Sequence, residues 1–267
     1  MRGASFAVVA FACLFTETVG QDAPAPAPAP AAAAGPAVSF KKDFQTCGQS
    51  TYYGTLSSAN AASWTRKELE TLVKQTHQSV LPLEGVFEAL IDLDKSADGG
   101  VQLIYSGKTM PAEPFGEQDT WTREHLWSDS RGAVGSHAFF DIHNNRPEAT
   151  RVTMIRRNMM FGECGTVEFA DVCEKPAFGG APSDTSQDGK VWMPPANVRG
   201  DIARALFYME LRYGPTSELG LALSTCPPFE GKEGILSTLL EWHAADPPSD
   251  EEFLRNQNAC RYWQGNR

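Results

Sequence analysis

The sequence predicts an α+β fold, mostly helical with few short strands. Three observations carry that prediction. Helical periodicity with recognisable caps recurs over long stretches, period-two alternation appears only in short runs, and residues 121–161 read as two strands followed by a helix.

Arg2, the apolar run from Ala4 to Phe15 and the small residues around Gly20 have the form of a secretory signal over 1–20. Glu17 interrupts the run short of the roughly 20 apolar residues a membrane span requires. A Pro/Ala tract follows, "APAPAPAPAAAAGPAV", with no charge and no large apolar side chain, so residues 21–39 read as a semi-extended linker. Residues 40–267 are long enough for one core, and no internal repeat divides them.

Within that domain, "TRKELETLVKQTHQSV" opens with Thr65 and Glu68 at capping-box spacing and repeats Leu69, Leu72, Val73 and Thr76 on one face, which predicts a helix. "GVQLIYSG" alternates around Leu103 and Tyr105 and predicts a strand. "GDIARALFYMELRYGP" is a second helix, with a stripe of Ile202, Ala205, Leu206 and Met209 and a Gly214-Pro215 stop. "GILSTLLEWHAADPP" is a third, with His243 in its last turn. "DLDKSADGG" at 92–100 fails as a calcium loop, because Ala97 and Leu103 stand where the turn glycine and the bidentate glutamate belong; it reads as a polar turn.

Net charge is −10, which argues against indiscriminate adhesion to polyanions, yet residues 121–161 hold six arginines against four acids. Such a basic strip suits a site that handles phosphate. With Cys13 removed in the signal, five cysteines remain. Proximity and order favour Cys164–Cys173 and Cys226–Cys260, leaving Cys47 free unless the pairing differs.

In "WTREHLWSDS", the strand-like first piece, Glu124 and His125 are adjacent; "FFDIHNNRP" is the second piece, and "EATRVTMIRRNMMF" has Val152, Ile155 and Met159 at helical spacing. This arrangement can bring His125 opposite a helix-borne Asn158. A carboxylate and an amide oxygen are hard donors of the kind magnesium accepts while keeping several waters. The imidazole is then available as a base toward water.

"REHLW", "DIHNNRP", "RRNMMFGEC" and the later blocks "WMPPANVRGDIARALFYMELRYG" and "LLEWHAADPPSDEEFLRNQNACRYWQGNR" together resemble the endonuclease I family of secreted and periplasmic nucleases, of the His-Me finger (ββα-metal) class. The resemblance implies a fold built around a ββα-metal motif, His125 as general base, and Glu124 and Asn158 as ligands of one divalent cation: magnesium, or manganese or calcium. It also implies an arginine on the scissile phosphate, Arg146 first and Arg131 next, with His143, Asn144 and Asp141 holding the site together. The implied activity is non-specific cleavage of DNA, extending to RNA, leaving 5'-phosphates, by a secreted monomer without membrane attachment after signal removal. The chain departs from the pattern at Ser128, where the family usually has proline, at Asn145, which replaces a leucine, and at Thr153 and Arg157, which replace asparagine and glycine.

Blander readings stand beside these. Arg151, Arg156 and Arg157 on a helix read as a solvated face, Arg204 and Arg212 as partners of neighbouring acids, His77 as a packed histidine, and Trp121, Trp127 and Trp192 as core. No GxSxG elbow, phosphate loop or HExxH helix is present. The alternative function is a secreted nucleic-acid-binding protein of the same fold without turnover.

Overall fold

The computed structural model describes residues 39–57, 60–166, 172–177, 180–214, 221–225 and 231–267. The expected signal, nearly all of the linker, and Cys226 lie outside the described residues. In chain order the elements are α1 (Gln49–Tyr52), α2 (Arg66–Thr76), α3 (Leu83–Leu93), β1 (Val101–Gln102), β2 (Thr109–Met110), β3 (Trp121–His125), β4 (Asn145–Ala149), α4 (Thr150–Arg156), β5 (Met160–Phe161), β6 (Ser186–Gln187), β7 (Val191–Met193), α5 (Arg199–Tyr213), α6 (Leu236–Ala245) and α7 (Asp250–Asn258). A π-helical turn, Ala259–Gln264, ends the run. The architecture is α+β, with helices dominant and strands two to five residues long.

Local chemistry explains the helices the sequence announces. Thr65 accepts from the Glu68 N–H, and Glu68 accepts from the Thr65 N–H at 2.8 Å, so the capping box satisfies two donors at the start of α2. α5 buries Ile202, Leu206 and Met209 and packs against α6. Its second residue must be glycine: a Cβ on Gly200 would lie 1.9 Å from the Asp246 carbonyl oxygen at the end of α6. Trp121, Trp127 and Trp192 are buried in the core as expected, joined by Trp263.

Three elements differ from expectation. Val101 and Gln102 alone pair with β2; Leu103, Ile104 and Tyr105 are all buried, and the Ile104 N–H turns to the Pro147 carbonyl. The run at Phe139–Phe140 lies in a 3-10 turn (His137–Phe140), and the second strand begins later, at Asn145. There it pairs antiparallel with β3 in a register that sets Glu124 opposite Arg146 and His125 opposite Asn145. Finally, α4 stops at Arg156, so Asn158 is not on the helix. Arg157 has φ 52° and ψ −124°, which cannot continue a helix, and the Met159 N–H closes a turn onto the Arg156 carbonyl at 3.1 Å.

Cys164–Cys173 forms as expected, but Cys260 pairs with Cys47 rather than with Cys226. The reason is tertiary. Residues 42–44 run beside the C-terminal turn, with the Lys42 and Phe44 N–H groups donating to the Tyr262 and Arg261 carbonyls at 2.7 Å, and this brings the two Cα atoms to 5.7 Å across 213 residues of sequence.

Candidate active site

The β3–β4 ribbon fixes His125 by its ring. Nε2 lies 3.2 Å from the Phe139 carbonyl oxygen. A carbonyl only accepts, so Nε2 carries the proton and a neutral ring has its lone pair on Nδ1. Asn145, the cross-strand partner, donates to the same carbonyl at 3.1 Å and so steadies it. Burial and the neighbouring Arg123 guanidinium push the imidazole pKa down to about 3, so the ring is neutral near pH 7. Its side chain stays 15% exposed. Nδ1 faces Asp129 Oδ1 at 3.4 Å, and that buried oxygen has no hydrogen-bond partner. Burial raises the Asp129 carboxyl pKa.

Glu124 is 1% exposed. Its Oε1 accepts from the Tyr105 hydroxyl at 3.0 Å and from Arg156 Nη1 at 3.1 Å. The same guanidinium donates to the His125 carbonyl at 2.6 Å and to the Leu126 carbonyl at 3.1 Å, and its Nη2 makes a very short contact to Glu233. It also lies over the Phe161 ring at 4.4 Å. Glu233, fully buried, accepts from the N–H and hydroxyl of Ser128, both at 2.9 Å. Burial pushes its carboxyl up to about 7 against the pull of Arg156 and Arg131.

Arg131 closes the arrangement. Its Nε is 3.2 Å from Glu233 Oε2, and its Nη2 donates to the Asn158 backbone carbonyl at 2.5 Å, fixing the turn from which the exposed Asn158 side chain projects. A single network therefore ties Glu124, the backbone of His125, Arg131 and Asn158 together, through Arg156 and Glu233.

Arg146 stands apart despite its place opposite Glu124. Its Nε is 3.2 Å from Asp94, whose two oxygens accept from Arg255 at 2.8 and 3.0 Å, and it borders a cavity of about 750 Å³ shared with Arg204, Asp201 and Tyr208. Asn144 braces the ribbon: Oδ1 accepts from the Trp127 N–H at 2.6 Å, and Nδ2 donates to the Trp127 and Ala138 carbonyls. Asp141 is a buried hub for Tyr208, Tyr213 and Gln264, and the His143 ring meets the Asn266 carbonyl at 3.2 Å. These last contacts anchor the C-terminal turn.

Sequence reasoning missed Arg156, Glu233, Tyr105 and Asp129. Arg156 is not on a solvated face: it is 1% exposed. The signal was available, since it lies four positions after buried Val152, which places both on one helix face. Nothing local marks Glu233, which meets Ser128 across 105 residues.

The family model for Endonuclease I matches residues 59–267. The chain belongs to the Endonuclease I family. It is 34% identical over 200 residues to a protein of Bacillus subtilis (strain 168) and 34% identical over 185 residues to one of Bacillus amyloliquefaciens, each named extracellular ribonuclease. These matches cover 71% and 66% of this chain and 65% and 59% of the relatives, so the chain spans less than two thirds of their length. Two of the positions singled out in the sequence lie at or beside the network: Arg157 holds the one positive φ outside glycine among the described residues, and Ser128 gives Glu233 two donors besides Arg156.

Proposed function

We propose that this member of the Endonuclease I family is a secreted, divalent-metal-dependent endonuclease of the His-Me finger class, with β3, β4 and α4 as its ββα unit and His125 as general base. The observation that carries the reading is the hydrogen bond from His125 Nε2 to the Phe139 carbonyl, which leaves Nδ1 as the bare acceptor, 3.4 Å from Asp129. Water attacks phosphorus and gives its proton to Nδ1. The bond from phosphorus to the 3'-oxygen breaks, the leaving oxygen takes a proton from solvent, and the phosphate stays on the 5' side. Arg131, bonded to the Asn158 turn, is better placed than Arg146 to meet the scissile phosphate.

The residues fit a hard cation. Glu124 commits only Oε1 to the hydrogen bonds described, Asn158 presents an amide at the surface, and the orphaned Asp129 oxygen marks unsatisfied negative character nearby. Magnesium binds through few protein oxygens and keeps several waters, which suits a pair of ligands such as Glu124 and Asn158. Held by Glu124 and Asn158, such a cation would supply charge stabilisation for the phosphate and the departing oxygen. The relatives' name supports RNA alongside DNA as substrate and, with the two disulfides, supports secretion.

A plasmid-nicking and RNA-cleavage assay with magnesium, with and without chelator, tests this. Wild type should cleave only with metal, and His125→Ala should lose about 10²–10⁴-fold in rate at an unchanged melting temperature. Equal rates would remove His125 as base. A wild type that binds nucleic acid but cleaves neither substrate would make the protein a binding module.

A further inference from the structure

We infer that Glu233, clamped by Ser128, is a positioning residue that keeps one oxygen of Glu124 available to a cation. The inference rests on the metal-dependent reading above. An arginine and a carboxylate left to themselves favour a bidentate pair, with two parallel N–H···O bonds. Here the Arg156 fork is divided instead: Nη1 meets Glu124 Oε1 at 3.1 Å, and Nη2 turns to Glu233 Oε1. Glu233 can hold that amine because its own position is fixed by the Ser128 N–H and hydroxyl, at 2.9 Å each, in a site with no solvent exposure.

Removing the Glu233 charge would leave Nη2 held only by the Leu126 carbonyl, at 3.1 Å, and let it swing onto Glu124. The guanidinium would then occupy both carboxylate oxygens and compete directly with a cation. The same carboxylate faces Arg131 Nε at 3.2 Å, and Arg131 holds the Asn158 carbonyl, so one acid orients both proposed ligands. The clamp belongs to this chain's own residue: proline at 128 would have neither the N–H nor the hydroxyl.

The experiment measures Mn2+ binding by electron paramagnetic resonance on the full chain, without nucleic acid, for wild type, Glu233→Gln, Ser128→Ala and Ser128→Thr, each with a melting curve. Glu233→Gln should weaken Mn2+ binding about 10–100-fold and Ser128→Ala by a smaller factor, while Ser128→Thr, which keeps both donors, should bind as wild type does. In nicking assays the metal concentration for half-maximal rate should rise in step, with KM for DNA at saturating metal unchanged. A lowered melting temperature with unmoved Mn2+ affinity would reduce Glu233 to a structural role and overturn the proposal. Should Glu233→Gln fail to fold, Ser128→Ala decides by the same criterion. A wild type that binds no Mn2+ sinks the metal-dependent reading itself, whereas tight wild-type binding with unmoved variants sinks only the positioning role.

Discussion

Glu124 and Arg146 face each other across β3 and β4, yet each takes its ionic partner from elsewhere. Around Glu124, two carboxylates and two guanidiniums alternate, and the chain ends in an exposed amide at Asn158. Around Arg146, Asp94 pairs with two guanidiniums, with Asp201 and Glu252 also near enough to act on Arg146. Asp94 caps α3, and Arg255 of α7 adds bonds to the Ile142 and Asn145 carbonyls, so this second cluster staples two helices to the ribbon. Opposed strand positions therefore do not decide ion pairing. What decides it is which further charges and backbone carbonyls the surrounding elements deliver. The Glu124 cluster is buried up to the exposed Asn158 amide, while the Arg146 cluster borders the cavity of about 750 Å³.

The largest effect should come from breaking the Arg146 cluster. Asp94→Asn leaves the buried Arg255 and the half-buried Arg146 guanidiniums without their carboxylate and should cost about 3–5 kcal/mol of stability, read from urea unfolding. A change under about 1 kcal/mol would mean that Arg146 and Arg255 are neutralised elsewhere. Next in size is the contrast between the arginines. Arg131→Met should lower the cleavage rate about 10–100-fold more than Arg146→Met does, an effect worth about 1.4–2.7 kcal/mol in the barrier; the reverse order would return the phosphate contact to Arg146.

Arg157→Gly should be stabilising. Relief of a strained backbone, of order 1–3 kcal/mol, exceeds the added entropy of glycine, about 0.5–1 kcal/mol, for a net gain of about 1 kcal/mol in thermal or urea unfolding. A further effect is a slope. Burial holds the Glu148 carboxyl up at about 8 despite N–H donors from Tyr105 and Ala149, so the folded protein keeps a proton that the unfolded chain has lost. Stability should then fall as pH rises from about 4.5 toward about 8, and Glu148→Gln should flatten that decline in melting temperature. Parallel slopes would show that Glu148 does not carry it.

Much of the candidate site was legible because its residues sit in short contiguous blocks. Glu124 and His125 are neighbours, and Asn158 follows Arg156 and Arg157 directly. Less legible was how they are held. Asn158 reads as helical from the spacing of Val152, Ile155 and Met159, but a backbone turn at Arg157 takes it off the helix. Arg156 reads as solvated by its residue type, whereas its interior position depends on Glu233 arriving from 77 residues away to neutralise it.

By itself the sequence determined the helices whose caps and stripes act within a few residues, α2, α5 and α6, together with the buried tryptophans and the Cys164–Cys173 loop. Those features depend on local geometry and apolar burial, which residue type and spacing encode. Only the tertiary structure decided that Cys260 meets Cys47, that Arg146 turns to Asp94, and that Glu233 divides the Arg156 fork. Each of these joins residues tens to hundreds of positions apart. Their pairing is set by where packing removes water from a charge, and no short window of sequence carries that information.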